Sequence, residues 1–157
     1  MEEIKYNYIN SEVFDETLNK ELDTDGDSLK ITSKIMLDGD TQSSLIINVN
    51  HRAQKTTSYV KIRAILKDGA RLKVFGDLHI EKDANDTDAY FEAKILILGN
   101  KARAIALPKL RIENRLVKAK HAVVIKKISN EDFYFLESRG ISNKKAQDII
   151  AEGFLNS

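Results

Sequence analysis

From Leu29 onward the chain alternates between apolar and polar positions. Leu29, Ile31, Ile35 and Leu37 share one parity, as do Leu45, Ile47 and Val49, and then Val60, Ile62, Ala64 and Leu66. The pattern continues through Leu72, Val74, Leu78 and Ile80 with Gly76 in phase, through Phe91, Ala93, Ile95 and Ile97, and through Val117, Ala119, Val123 and Ile125. Such alternation places one set of side chains on a single face of a pleated strand. Asp38-Gly39-Asp40, Asp68-Gly69 and Gly99-Asn100 punctuate the runs as turns. Pro108 opens a strand-like piece, where a missing donor is tolerable. Strands at this spacing admit a sandwich, a barrel or a β-solenoid, and no exact repeat at fixed spacing separates the three.

The flanks read differently. Residues 1–28 are acidic, poorly patterned and partly irregular, with a short helix expected over Glu12 to Glu21 and a loop at Asp23-Thr24-Asp25-Gly26-Asp27. That loop resembles part of a calcium-binding loop, but a strand-like run follows where the closing acid and a helix are needed. After the β core of residues 29–127, residues 128–157 change period. Ser129 with Asp132 resembles a capping box, with Ile128 and Phe133 at the hydrophobic-staple positions. This predicts a helix carrying Phe133, Tyr134, Leu136 and Glu137 that stops at Arg139-Gly140. Ile141-Ser142 opens a second helix with Ala146, Ile149, Ile150 and Phe154 on its apolar face. Two short amphipathic helices must pack on the strands or on a partner to hide those faces.

Composition narrows the function. Among 157 residues there is no cysteine, which excludes disulfides, thiolate ligands and a Cys nucleophile, and the 3 His give little basis for a zinc site. No apolar run approaches the ~18 residues of a membrane span. The start Met1-Glu2-Glu3-Ile4-Lys5 lacks signal-peptide features, so a cytoplasmic protein is expected. The net charge of +1 hides a polar layout: residues 1–40 hold 11 acids and 4 bases, while residues 101–127 hold 9 bases and only Glu113. Such asymmetry marks either a nucleic-acid surface or two opposite-sign segments that face each other within the chain or across a dimer. The missing aromatic interleaving among these bases weighs against nucleic acid. There is no phosphate loop, nucleophile elbow or His-Glu-x-x-His, and Asp86 and Asp88 sit in a predicted turn, so no enzyme is expected.

Four stretches resemble the SufB/SufD family, the scaffold proteins of SUF iron–sulfur cluster assembly. They are NHRAQKTTSYVKIRAILKDGA at 50–70, FGDLHIEKDANDTDAYFEAKILIL at 75–98, ALPKLRI with VKAKHAVV within 106–124, and FYFLESRGISNKKAQDIIAEGF at 133–154. The last is close to the family's Leu-Phe-Tyr-Leu-x-Ser-Arg-Gly-Ile signature. The resemblance implies a mainly β chain: a short right-handed parallel β-helix with a small C-terminal α-helical tail. It implies a homodimer or a heterodimer with a SufB/SufD-type subunit through the C-terminal β-helix strands, and docking of a SufC-type ABC ATPase by the tail. The tail positions that match are Phe133, Tyr134, Leu136, Arg139, Ile141 and Phe154.

His121 is in phase with Val117, Ala119, Val123 and Ile125, where an unaccompanied His is ordinarily a buried, hydrogen-bonded residue. It also matches the His of the family's Ser-His-Gly-Ala pattern, which the resemblance implies as a metal ligand for a nascent cluster. The departures matter as much. The Cys and the acid of SufB-type subunits fall at Ala93 and Ala122, the Cys of many SufD-type members at Ala119, and the Glu of Pro-x-Leu-Glu-Ile at Arg111. No cluster is therefore expected to bind stably to this chain alone, only a transient Fe–S cluster shared with a partner. His51 reads as an exposed residue at a polar strand entry, and His79 as a solvent-facing strand residue. The expected function is a non-catalytic scaffold or adaptor. The alternatives are a homodimer that kept the fold without the cluster, or a nucleic-acid module using the basic 101–127 strands.

Overall fold

The computed structural model describes residues 1–9 and 13–157. Among these residues nine strands form two parallel sheets facing each other across one core, a β-solenoid of about four turns. Sheet A holds β1 (Glu2–Ile9), β3 (Ser28–Leu37), β5 (Thr57–Leu66), β7 (Asp88–Ile97) and β9 (Lys118–Lys127), in that order. Sheet B holds β2 (Asp15–Leu22), β4 (Gln42–His51), β6 (Arg71–Ile80) and β8 (Arg103–Ile112).

Ser28, Thr57, Asp88 and Lys118 stand in one register column, so successive turns take 29, 31 and 30 residues. The alternating residues point inward, and Leu29, Ile31, Ile35, Ile47, Val60, Ile62, Val74, Leu78 and Phe91 are fully buried between the sheets. The corners stack as well. Gly26, Lys55 and Asp86 all have positive φ (81°, 57° and 59°), and each donates its N–H to a carbonyl of the next turn at 2.7–2.9 Å.

Gly76 sits opposite Phe91. A Cβ there would lie 2.4 Å from Cε2 of the Phe91 ring, so the glycine is what lets this ring fill the core. Gly76→Ala is expected to cost about 1–3 kcal/mol by overpacking, and Phe91→Leu in the same chain to recover part of it. Urea midpoints check both.

The helix expected over Glu12 to Glu21 is instead β2; Glu12 itself lies outside the described residues. Within Asp15–Leu22 only Leu18 and Leu22 are apolar, a sparse pattern in which pairing with β4 decides the state. Asn48 donates to Asn19 at 2.8 Å, and the Ser44 hydroxyl donates to Asp15 at 2.6 Å. The acidic first strands and the basic last strands occupy opposite ends of the solenoid, so these segments do not face each other within the chain.

In the tail, α1 (Asn130–Glu137) begins with the capping box: the Asp132 N–H donates to Ser129 Oγ, and the Ser129 N–H donates to the Asp132 carboxylate at 3.2 Å. Gly140 takes φ +81° between the helices. Then α2 (Asn143–Leu155) packs Ala151 and Leu155 over Ile65 and Leu96 on the outer face of sheet A. Its buried side is Ala146, Ala151 and Leu155, rotated from the expected face, which leaves Ile149 exposed.

Candidate functional site at the open end of the solenoid

The last turn is built from β8 and β9. Among the described residues, β8 pairs only with β6 and β9 only with β7, so each presents one free edge of N–H and C=O groups. Inward positions that are sealed in earlier turns are only half-buried here: Ala104, Ala106 and Leu110 on β8, and Ala119 and Val123 on β9. Around them Leu107 (57% exposed), Leu116 (67%), Ile105, Val124 and Ile125 face solvent. This end of the chain is apolar, unpaired and rimmed by lysine and arginine. Pro108 sits in β8, an edge strand, where its missing donor is tolerated.

His121 lies on β9 in register with Phe91, so its parity is core-facing as the alternation implied. It is nevertheless exposed, because among the described residues no strand stacks beyond β9. The expectation of a buried, bonded residue fails for that reason.

His51 departs in the opposite direction. It is fully buried, with Nδ1 2.8 Å from Thr56 Oγ1 and Nε2 2.8 Å from Ser58 Oγ. Thr56 in turn contacts Thr87 at 3.0 Å, and the Thr87 hydroxyl donates to the Ala84 carbonyl at 3.0 Å. Every hydrogen finds an acceptor when Ser58 donates to Nε2, Nδ1–H donates to Thr56, Thr56 donates to Thr87 or to the Ala53 carbonyl at 3.3 Å, and Thr87 donates to Ala84. That chain requires a neutral imidazole, and burial lowers the His51 pKa to about 4. His79 lies on the outer face of sheet B with Nε2 2.7 Å from Glu113. The three histidines are thus on different elements. Among the described residues, no group of three or more His, Cys, Asp or Glu is placed to hold a metal.

The tail residues divide by exposure. Phe133, Leu136, Ile141 and Phe154 are half-buried, while Tyr134 is 72% exposed and Arg139 is exposed, its guanidinium 4.2 Å from the Phe135 ring centroid. Phe135, itself 55% exposed, completes an outward patch with Tyr134 and Arg139. Sequence reading missed it, although the spacing of four between Phe135, in the last turn of α1, and Arg139, in the turn that follows, was a usable signal.

A second feature left no sequence signal. On the outer face of sheet A, Arg63 and Glu92 form an ion pair at 2.6 Å with side chains only 5% and 10% exposed, and Lys94 stands 3.1 Å from the same carboxylate. Burial works to raise the Glu92 pKa, and hydrogen bonds from Arg63 and Lys94 overcome it, holding the carboxyl below its usual range.

Comparison with known proteins bears on the same residues. The family model described as "SUF system FeS cluster assembly, SufBD core domain" matches residues 5–154. An iron-sulfur cluster assembly SufBD family protein of Staphylococcus saprophyticus is 30% identical over 105 residues, covering 67% of this chain and 23% of its own length. One of Staphylococcus aureus (strain USA300) matches with the same identity and the same coverage. The match thus spans less than a quarter of these relatives. With a parallel solenoid closed by two helices and a family match over nearly its whole length, the chain belongs to the SufBD core family of the SUF system.

Proposed function

We propose that this chain is a non-catalytic scaffold or adaptor subunit in iron–sulfur cluster assembly. It pairs through the open end of its solenoid with a second SufB/SufD-type subunit and presents its helical tail to a SufC-type ABC ATPase. The observation that supports this best is the end turn itself: two adjacent free strand edges above a half-covered apolar core. Edges of this kind pair, aggregate or are covered, and a partner's strands would satisfy both sheets at once. The charge favours a heterodimer. Lys118, Lys120, Lys126 and Lys127 on β9 with Arg103, Lys109 and Arg111 on β8 would repel their own copies across a two-fold interface. A partner with an acidic end would attract them. The cluster is cargo in this scheme, and His121 is one ligand of a site that the partner subunit completes.

Light-scattering chromatography tests the reading. A complex is expected with the host's SufB-type subunit, and a larger one when the SUF-type ATPase is added. Tyr134→Ala with Phe135→Ala is expected to abolish only the ATPase step, since both side chains face solvent. A monomer that ignores both proteins at micromolar concentration overturns the proposal, and a homodimer that ignores both selects the repurposed-fold alternative. Within the complex, His121→Ala is expected to lower cluster loading without disturbing assembly. Unchanged loading removes His121 from the site.

A further inference from the structure

A separate feature lies on the outer face of sheet A, near the end of the solenoid opposite β9. In the register of β1, β3 and β5, Thr32 is flanked along its own strand by Lys30 and Lys34, and across the sheet by Lys5 and Lys61. These four positions are its nearest outward-facing neighbours, two residues along the strand or one strand away. With ~4.8 Å between strands and ~6.7 Å between alternate residues, four ammonium groups are tethered around one hydroxyl. Arg63 stands at a corner of the same grid, beside Lys34. The C-terminal end of α2 walls this surface into a groove of about 510 Å³.

Few negative charges offset these cations. Among the described residues, Glu3 is the only carboxylate side chain lining the groove, and it is shared by Lys5 at 3.2 Å and Lys30 at 3.3 Å. Lys34 bonds to the Asn156 side-chain carbonyl and Lys61 to a main-chain oxygen of Ser157, each at 2.6 Å. Each ammonium has three donors, so these bonds orient Lys34 and Lys61 and leave donors for a ligand. Like charges on neighbouring strands destabilise a sheet. The arrangement carries a repulsion that a bound polyanion would relieve.

We propose that the Lys5–Lys30–Lys34–Lys61 ring around Thr32 is a binding site for a multiply charged phosphate group, a di- or triphosphate. Lysines act on phosphate as point charges with mobile donors, and the Thr32 hydroxyl supplies a central donor. The same chemistry is offered by a free polyphosphate and by the phosphate tail of a nucleotide. Tyr59, beside Lys30 in the register and 37% exposed, is placed where a base would lie against it.

Titration calorimetry of the whole chain at about 50 mM salt, where surface charge is lightly screened, tests this. Tripolyphosphate is expected to bind at least about tenfold more tightly than inorganic phosphate, and Lys34→Gln with Lys61→Gln to weaken it about tenfold. The matched control, Lys118→Gln with Lys120→Gln, removes the same charge from β9 and is expected to change affinity less than about twofold. Thr32→Val, with an unchanged melting temperature, is expected to weaken binding several-fold. No binding, or equal weakening by the two lysine pairs, overturns the proposal by reducing it to bulk charge. A nucleoside triphosphate that binds more tightly than tripolyphosphate, with the gain lost in Tyr59→Leu, identifies a nucleotide as the source. Equal affinities identify a free polyphosphate.

Discussion

Glu92→Leu is expected to cost about 3–5 kcal/mol of folding stability, the range for removing one partner of a buried ion pair. The loss falls on what remains. Arg63 is enclosed; among the described residues its Nε has no partner, and Nη1 reaches only the Ile62 carbonyl at 3.2 Å. Without Glu92 its charge stays buried. Arg63→Met is expected to cost less, because Glu92 keeps Lys94 at 3.1 Å and the Tyr90 hydroxyl at 3.4 Å. Burial then prevails over the weaker partners, and the Glu92 pKa rises. The Arg63→Met chain should therefore recover stability relative to the parent as pH falls. Combining both substitutions should approach the parent, since well-packed apolar replacements of buried pairs are often neutral. Urea unfolding of the four proteins measures this as a double-mutant cycle; a Glu92→Leu cost below about 1 kcal/mol would contradict the buried-pair account.

Acidification from pH 7 to 4 is expected to remove about 3 kcal/mol through His51 alone, at 1.36 kcal/mol per pKa unit. Its pKa is about 4 in the folded chain against an ordinary value of 6.5. The unfolded chain therefore takes up a proton that the folded chain refuses. This contribution is fully present above pH 6.5 and fades as pH falls toward 4. A second N–H would also break the donor order from Ser58 to Ala84, because Nε2 could no longer accept. Carboxylates held low, such as Glu92 and Glu81, lose stability over part of the same range. The measurement is thus the difference in pH dependence between the parent and His51→Gln. Parallel curves would show that the imidazole does not titrate on unfolding in this window.

The β core was readable because the inward positions are nearly all aliphatic. Residues such as Ile31, Val60 and Ile95 keep strict parity for whole strands, and the capping residues Ser129 and Ser142 fixed both helix starts. The solenoid repeat was less legible. Its turns differ by one or two residues, and its corners use Gly26, Lys55 and Asp86 for the same left-handed conformation, so neither spacing nor residue type repeats. The environments of the histidines were not legible at all. His51 sits beside the charged Arg52, yet lies inside a corner where Thr56, Ser58 and Thr87 from two turns converge. His121 lies in an apolar phase, yet falls on the turn where coverage ends. Burial in a stacked fold depends on the rung above and below, and these are about thirty residues away in the chain. The lysine ring around Thr32 was hidden in the same way, spread over Lys5, Lys30, Lys34 and Lys61 until register brought it together.

The stacking of turns also sets how the chain opens. Each strand is hydrogen-bonded only to the turn before and the turn after, so cooperativity runs along one dimension and the terminal rungs have half the support of the central ones. Amide exchange should grade along the axis, slowest in β5 and β6 and fastest in the terminal strands with one bare side, β1 and β2 at one end and β8 and β9 at the other. A partner seated on the β8 and β9 end would convert a fast-exchanging rung into an interior one. The change in protection would then report, residue by residue, how far the sheets continue into the second subunit.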